Sequence, residues 1–114
     1  MDELDTAWLA GWLEGEGCFS IRKIKQGSRQ YDYPIVTASS TDFDTLERVQ
    51  SIAGGKIYEA RPQNPNHSMC WRWQLYGKDE ATSLMLTLLP LMSKRRRERI
   101  QEVLETAVGR VDCG

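Results

Sequence analysis

The chain has 114 residues and a formal net charge of −1, with 40% hydrophobic and 27% charged residues. These values are typical of a single globular domain with a modest core, and we expect it to span residues 1–114, with 109–114 as a frayed tail. The acidic start, MDELDTAWLAGWLEGEG, is unlike a secretory signal peptide, and the apolar stretches are too short to cross a bilayer. Three cysteines without paired spacing, and a single histidine (His67), argue against a disulfide framework or a zinc site. We therefore expect a reduced, cytoplasmic protein without a membrane partner.

The charges fall into three blocks along the chain. Residues 2–16 hold five acids and no base, residues 17–31 hold four bases and no acid, and KRRRER (94–99) holds five bases and one acid. A solvated surface explains any one of these blocks. Their segregation makes a polyanionic partner such as nucleic acid an equal alternative.

Hydrophobic periodicity predicts a helix, a hairpin and a second helix in the first half of the chain. The first helix covers Asp5 to Gly15, with Asp5 or Thr6 as its cap and an apolar face of Leu9, Trp12 and Leu13. The alternating segments 18–25 and 31–40 predict a hairpin around the turn KQGSRQ. Thr41 or Asp42 then caps a helix that ends at Gly54-Gly55. Its predicted buried residues are Phe43, Leu46, Val49 and Ala53.

The second half predicts another hairpin and two more helices. The strands cover 55–61 and 69–76, and the loop PQNPNHS joins them. Alternation assigns Trp71, Trp73 and Leu75 to the core. Pro90 ends the third helix, and Ser93 caps the fourth. The predicted buried positions of these helices are Ala81, Leu84, Met85, Leu88, Ile100, Val103, Leu104, Ala107 and Val108. The order αββαββαα predicts an α+β fold with a four-stranded antiparallel sheet and helices on one face.

The stretch LAGWLEGEGCF (9–19) favours function over helix stability. Ala7, Gly11 and Gly15 form a smooth face along the first helix, although glycine costs about 1 kcal/mol against alanine there. A second backbone can approach such a face, so these residues predict a dimer interface. Glu14 and Glu16 would then meet their symmetry copies as hard oxygen ligands for Mg²⁺. A surface helix ending in a glycine-rich turn explains the pattern equally well.

LAGWLEGEG, followed by CFSI, resembles the LAGLIDADG motif of homing endonucleases. The resemblance continues through GKIYEAR, the tryptophan-rich strand and LLPLMSKRRRERI, over about residues 5–108. It implies a single-motif homodimer whose saddle-like sheets bind the major groove of double-stranded DNA and cut both strands with Mg²⁺ or another divalent cation such as Mn²⁺. It also implies a mobile element or intron in a bacterium, a phage or an organelle; an intein is disfavoured.

The resemblance also implies roles for individual residues. Glu16 corresponds to the catalytic, metal-binding acid, and Gly17 offers its backbone carbonyl to the metal. Glu14 occupies a position that is more often a cap than a ligand. The family commonly has Asp where this chain has Glu at both positions. A basic residue at the start of the last helix completes the site, and Lys94 and Arg95 remain alternatives.

Strand alternation selects the side chains that would contact DNA. The face opposite the core carries polar and basic residues suited to base edges and phosphates. A one-residue error in register would reverse the assignment. The predicted contacts are Ser20, Arg22, Thr37, Ser39, Lys56, Tyr58, Arg72 and Gln74, with Arg29 at a loop tip.

Three classes of function fit the sequence. The leading hypothesis is a homodimeric, metal-dependent, site-specific DNA endonuclease. The second is a non-cleaving DNA- or RNA-binding protein of the same fold, such as an intron maturase or a regulator. The third is a small interaction domain that does no nucleic-acid work.

Overall fold

The computed structural model describes residues 1–60 and 69–109, with side chains up to residue 107. Within these residues it contains four helices and four strands in the predicted order. The helices are α1 (Glu3–Glu16), α2 (Phe43–Ala53), α3 (Glu80–Leu88) and α4 (Lys94–Gly109), and the strands are β1 (Gly17–Gln26), β2 (Arg29–Ser40), β3 (Lys56–Ala60) and β4 (Cys70–Tyr76). The loop with His67, the tail and the predicted burial of Val108 lie outside the described residues.

The two hairpins join into one antiparallel sheet with strand order β1-β2-β4-β3. Strands β1 and β2 pair from Gly17↔Ala38 to Gln26↔Arg29, and Gly27 makes the tight turn with a φ of 64°. The predicted turn KQGSRQ was therefore too long, and Arg29 begins β2 instead of lying at a loop tip. Strands β2 and β4 pair from Ile35↔Tyr76 to Ser40↔Trp71, which places them in the middle of the sheet.

One face of the sheet packs on the helices, as the alternation predicts. Phe19, Val36 and Trp73 are almost completely buried there. The Trp73 indole N–H donates to the Gly54 carbonyl at 2.7 Å. A Cβ atom on Gly55 would lie 2.5 Å from the Gln74 carbonyl oxygen, so only glycine fits beside this strand. Trp71 is half-buried against Phe43, and both tryptophans are core residues as predicted.

The first two helices follow the predicted stripes but differ at one cap. Leu9 and Leu13 of α1 are fully buried, whereas Trp12 is half-buried. The predicted caps Asp5 and Thr6 are wrong, because α1 begins earlier and the Asp2 carboxylate accepts the Asp5 backbone N–H at 2.8 Å.

In α2, the Asp42 side chain accepts the Asp44 N–H, which confirms the second of the two predicted caps. Leu46 and Val49 are fully buried, while Phe43 is 38% exposed and Ala53 is partly buried. The helix ends at Gly54 as predicted.

The last two helices cover the other end of the sheet. The four predicted α3 residues are buried, as are Ile100, Val103 and Ala107 of α4, and Leu104 is partly buried. Pro90 does not end α3 directly, because the chain passes through a 3₁₀ turn at Leu89–Leu91. Among the helices of the described chain, none combines the length and apolar character needed to span a bilayer.

Candidate nucleic-acid interface and catalytic site

Alternate residues of the strands point away from the helices and form what we call the outer face. The pairs Ser39↔Arg72 and Arg72↔Tyr58 make one row across it, and Thr37↔Gln74 and Gln74↔Lys56 make the next. The predicted strand alternation is therefore confirmed. The predicted DNA contacts that lie on this face are Ser20, Arg22, Arg29, Thr37, Ser39, Lys56, Tyr58, Arg72 and Gln74.

The outer face carries positive charge that the protein does not neutralise. The described strands place Arg22, Arg29, Lys56 and Arg72 there and no acidic residue. None of these four forms an ion pair within the described residues. The ion pairs found there all involve α4: Lys94–Glu98, Arg96–Glu14 and Arg99–Glu102. A polyanion that meets this face would encounter unpaired cations.

Aromatic side chains complete the outer face, and the sequence reasoning assigned only one of them to it. Tyr31 stacks on Tyr33 with ring centroids 6.3 Å apart, and the Arg22 guanidinium lies over the Tyr76 ring. The same strand parity that selected Arg22 would have found them. Thr37, by contrast, is only 6% exposed, so its predicted DNA contact would need its taller neighbours to move.

Glu16 ends α1 beside an open cleft. The cleft has a volume of about 390 Å³ and is lined by Trp12, Glu16, Ser39, Ser40, Thr41 and Cys70. The chain passes directly from α1 into β1 at Gly17, where a Cβ atom would lie 2.7 Å from the Leu13 carbonyl oxygen. Glu16 is exposed, and no described residue donates a hydrogen bond to it. Sequence reasoning missed Ser40 and Thr41, since only the packed structure brings the end of β2 to this helix.

The donors at this cleft suit a hard divalent cation. An exposed carboxylate beside hydroxyl groups matches Mg²⁺, which binds through one or two carboxylates with waters and phosphates. Within residues 1–60 and 69–109, no cluster of three or more His, Cys, Asp or Glu side chains could hold a metal ion. A site with one Glu16 from each of two subunits would fit this chemistry. Metal binding by the Gly17 backbone carbonyl stays a prediction.

Glu14 has a different environment, although it lies two residues from Glu16. Its carboxylate accepts the Ser93 backbone N–H at 2.7 Å and the Ser93 hydroxyl at 2.9 Å. Ser93 directly precedes α4, as predicted, and its carbonyl accepts the Arg97 N–H at 2.8 Å. Its hydroxyl donates to Glu14, so Glu14 binds the start of the helix. The Ser93 backbone N–H holds the pKa of Glu14 below its usual value. These contacts are those of a cap, and metal binding by Glu14 stays a prediction.

Glu14 also explains the crowding of basic residues at the start of α4. The Arg96 side chain donates to the Glu14 backbone carbonyl at 3.0 Å, and Arg99 donates to the Phe19 carbonyl at 2.9 Å. Cations are unfavourable at a helix N-terminus. Here a carboxylate and two backbone carbonyls compensate part of that charge and join α4 to α1 and β1.

The structure separates Lys94 from Arg95. Lys94 lies 3.8 Å from Glu98 and borders a groove with Pro90 and Gln101. Arg95 shares a helical row with Arg99, which contacts β1. The charge of Arg95 also helps to lower the pKa of Glu14. Of the two, only Arg95 is among the charges that lower the pKa of Glu14, and its role in the site stays a prediction.

The predicted dimer stripe is open on the surface of α1. Ala7, Gly11 and Gly15 are exposed, and a Cβ atom built on either glycine meets nothing within 4 Å. Leu4 extends the stripe by one turn and is 83% exposed. Nothing in the described part of the chain packs on these glycines, so the face is accessible to a second molecule.

The sequence between residues 9 and 96 matches the family model described as LAGLIDADG endonuclease. This chain belongs to the LAGLIDADG endonuclease family. The match begins at the first residue of the motif and ends within α4, so it includes Glu14, Glu16 and both candidate basic residues. A comparison with curated proteins finds no match.

Solved LAGLIDADG structures share the fold. The archaeal intron-encoded homing endonuclease I-Vdi141I, complexed with DNA, superposes with a TM-score of 0.74 and 21% identity over 98% of this chain and 72% of that chain. The homing endonuclease I-CvuI, in complex with the I-CreI target and 2 mM Mg, gives 0.70 and 22% over 90% of this chain and 65% of that chain. The chain thus spans just under two thirds of I-CvuI.

The Glu14 contacts predict a pH-dependent stability. A carboxyl whose pKa is lowered by folding stabilises the protein above its unfolded pKa, and this is lost as the pH falls through the folded pKa. We expect Glu14→Gln to lower the Tm by a few degrees at pH 7. The difference from wild type should shrink as the pH falls below the ordinary glutamate pKa of about 4.3. Thermal unfolding by circular dichroism between pH 7 and 3 measures this.

Glu98→Gln is the matched control, because it removes only an exposed pair with Lys94. Its Tm should follow the wild type at every pH. A Glu14→Gln deficit that stayed constant down to pH 3 would contradict the ionised cap.

Proposed function

We propose that the protein is a site-specific double-strand DNA endonuclease that acts as a homodimer by metal-assisted phosphodiester hydrolysis. One observation carries the proposal: a sheet face with unpaired basic side chains lies beside a helix end with an unpaired, exposed carboxylate, Glu16. Binding and hydrolysis of a phosphodiester need these two features next to each other.

The outer face would bind DNA. Arg22, Arg72 and Gln74 have the donors and acceptors that read base edges in the major groove, while Lys56 and Arg29 suit phosphates. The rows across β3, β4 and β2 would offer these groups to successive base pairs.

The α1 stripe would pair two subunits and bring their Glu16 carboxylates together. There they would hold Mg²⁺ or another divalent cation such as Mn²⁺, which activates water and stabilises the leaving oxygen. Arg95 would stabilise negative charge that develops on the phosphate. Glu14 would act on Arg95 indirectly, by fixing the start of α4.

A second candidate is a non-cleaving DNA- or RNA-binding protein, such as an intron maturase or a regulator. It is favoured by glutamate at both acidic motif positions, where the family commonly has aspartate. The outer face would serve this function equally, so only a test of cleavage separates the two.

Cleavage should depend on Glu16. A randomised duplex library incubated with Mg²⁺ or with EDTA, followed by sequencing of the ends, would give pseudo-palindromic cut sites with Mg²⁺ only. We expect Glu16→Gln to lower the cleavage rate at such a site by at least about 100-fold, because it removes the ligand carboxylate. DNA affinity should stay within a few-fold of wild type.

Glu105→Gln, an exposed carboxylate near the C-terminal end of α4, is the matched control and should cut normally. Wild-type protein that binds duplex DNA but does not cut it would favour the non-cleaving protein. Wild-type protein that neither binds nor cuts DNA would favour an interaction domain.

Arg95 and Lys94 should differ in their effect on cleavage. We expect Arg95→Ala to reduce the single-turnover rate by about 10- to 1,000-fold, since its charge acts on the motif acid Glu14. Lys94→Ala should stay within a few-fold, because that side chain lies with Glu98 on another side of α4. The two variants lose the same charge at adjacent positions, so each controls for the other. Equal losses, or a larger loss for Lys94→Ala, would reverse the assignment.

Dimerisation should depend on the smooth stripe of α1. Gly11→Leu fits the isolated subunit, where its Cβ meets nothing, and leucine is a better helix former than glycine by up to about 1 kcal/mol. We expect a folded monomer, identified by light scattering after gel filtration. Its Tm should be unchanged or higher, and it should not cleave DNA. Gln101→Leu, exposed on α4, should remain a dimer. A dimeric Gly11→Leu protein would exclude this interface.

A further inference from the structure

Arg22 and Tyr76 form a bridge on the outer face. Arg22 lies on β1 and Tyr76 on β4, and the Arg22 guanidinium carbon is 5.0 Å from the centre of the Tyr76 ring. Between them runs β2, where Tyr33 pairs with Arg22 and Ile35 pairs with Tyr76. Ile35 is only 9% exposed although it is on the outer face. The guanidinium therefore lies over the Tyr76 ring, on a part of the face that includes the apolar side chain of Ile35.

The stacking leaves the hydrogen-bond donors of Arg22 unused. Within the described residues Arg22 has no carboxylate or carbonyl partner, whereas Arg96 and Arg99 donate to backbone carbonyls. A cation over a ring face keeps its N–H groups at the edge of its plane. The other outer-face arginine of the central rows, Arg72, has no ring contact in the part of the chain that the structure describes. Among the arginines of the outer face in the described residues, Arg22 is thus the one that lies over an aromatic ring.

We propose that Tyr76 is a positioning residue that presents Arg22 to one guanine in each half-site of the DNA target. This rests on the proposed function. An arginine can donate two parallel hydrogen bonds to O6 and N7 of guanine, whereas adenine offers N7 beside a donor amine. Restraint of a flexible side chain in its binding geometry removes an entropy cost of binding. Tyr76 is 45% exposed, so its ring serves as a support that a core residue could not provide.

Arg22 could contact either a phosphate or a guanine, and the two contacts predict different base preferences. An arginine on a phosphate strengthens binding to all sequences alike, whereas an arginine on guanine discriminates at one base pair. If the Tyr76 hydroxyl itself contacted DNA, removal of the hydroxyl alone would already weaken the base preference. The variants below separate these cases.

The experiment is selection of bound duplexes from a randomised library in EDTA, with sequencing of the bound fraction. For wild type we expect a guanine preference of about tenfold or more at one position per half-site. Arg22→Ala should abolish that preference. Tyr76→Leu should reduce it several-fold at the same position, and Tyr76→Phe, which keeps the ring, should retain it.

Two further measurements distinguish positioning from a general loss of binding or folding. The dependence of affinity on salt concentration should be the same for Tyr76→Leu and wild type, because no phosphate contact is lost. Arg72→Ala should change the preference at a different position. The Tm of Tyr76→Leu should stay within a few degrees of wild type, since the ring is half-exposed.

An unchanged base preference in Tyr76→Leu, or an equal loss of affinity for all sequences, would overturn the positioning role. Loss of the preference in Tyr76→Phe would assign the contact to the hydroxyl and also overturn it. Wild-type protein that does not bind DNA, or binds without base preference, would instead contradict the proposed function. That result comes from the wild type alone, so the two failures are distinguishable.

Discussion

The hydrogen bonds between the Glu14 carboxylate and Ser93 hold the functional end of the molecule together. They connect the last turn of α1 to the residue immediately before α4, 79 positions later in the chain. With α4 fixed there, Arg96 reaches the Glu14 carbonyl and Arg99 reaches the Phe19 carbonyl. Hydrogen bonds from α4 therefore lie on both sides of the α1–β1 junction from which Glu16 projects.

The sheet divides its two faces between stability and binding. Its inner face supplies Phe19, Val36 and Trp73 to the core, and its outer face needs no acidic partner to fold. Unpaired arginines on an exposed sheet are a poor choice for stability alone, because like charges repel. The same arrangement is favourable when a polyanion supplies the missing charge, which is why the outer face and the free carboxylate are best understood together.

Most of the fold could be predicted from the sequence, because local patterns determine it. Strand alternation correctly assigned Trp71 and Trp73 to the core and the predicted polar strand residues to the outer face, and glycine correctly ended α2. The site was harder, because its contacts join residues far apart in sequence. The Ser93 partner of Glu14 and the cleft beside Ser40 have no local sequence signal. The local pattern also does not distinguish Lys94 from Arg95. The Asp2 cap was missed for another reason: Asp2, Asp5 and Thr6 are all suitable caps, and composition does not rank them.

The motif places three tasks on one helix of four turns, and its unusual composition follows from that. The buried face of α1 needs Leu9 and Leu13, the open face needs residues no larger than Ala7 and Gly11, and the C-terminus needs two acids with different roles. Glu14 and Glu16 are two residues apart at the end of α1, so their side chains leave the helix on different sides. Glu14 contacts Ser93, and Glu16 remains exposed. A glycine at position 17 is required because any side chain would meet the Leu13 carbonyl. The glycines therefore weaken the helix at the positions where the proposed partner subunit and the sharp exit into β1 need space. The hydrogen bonds of Glu14 stabilise the end of the helix that carries the two acids.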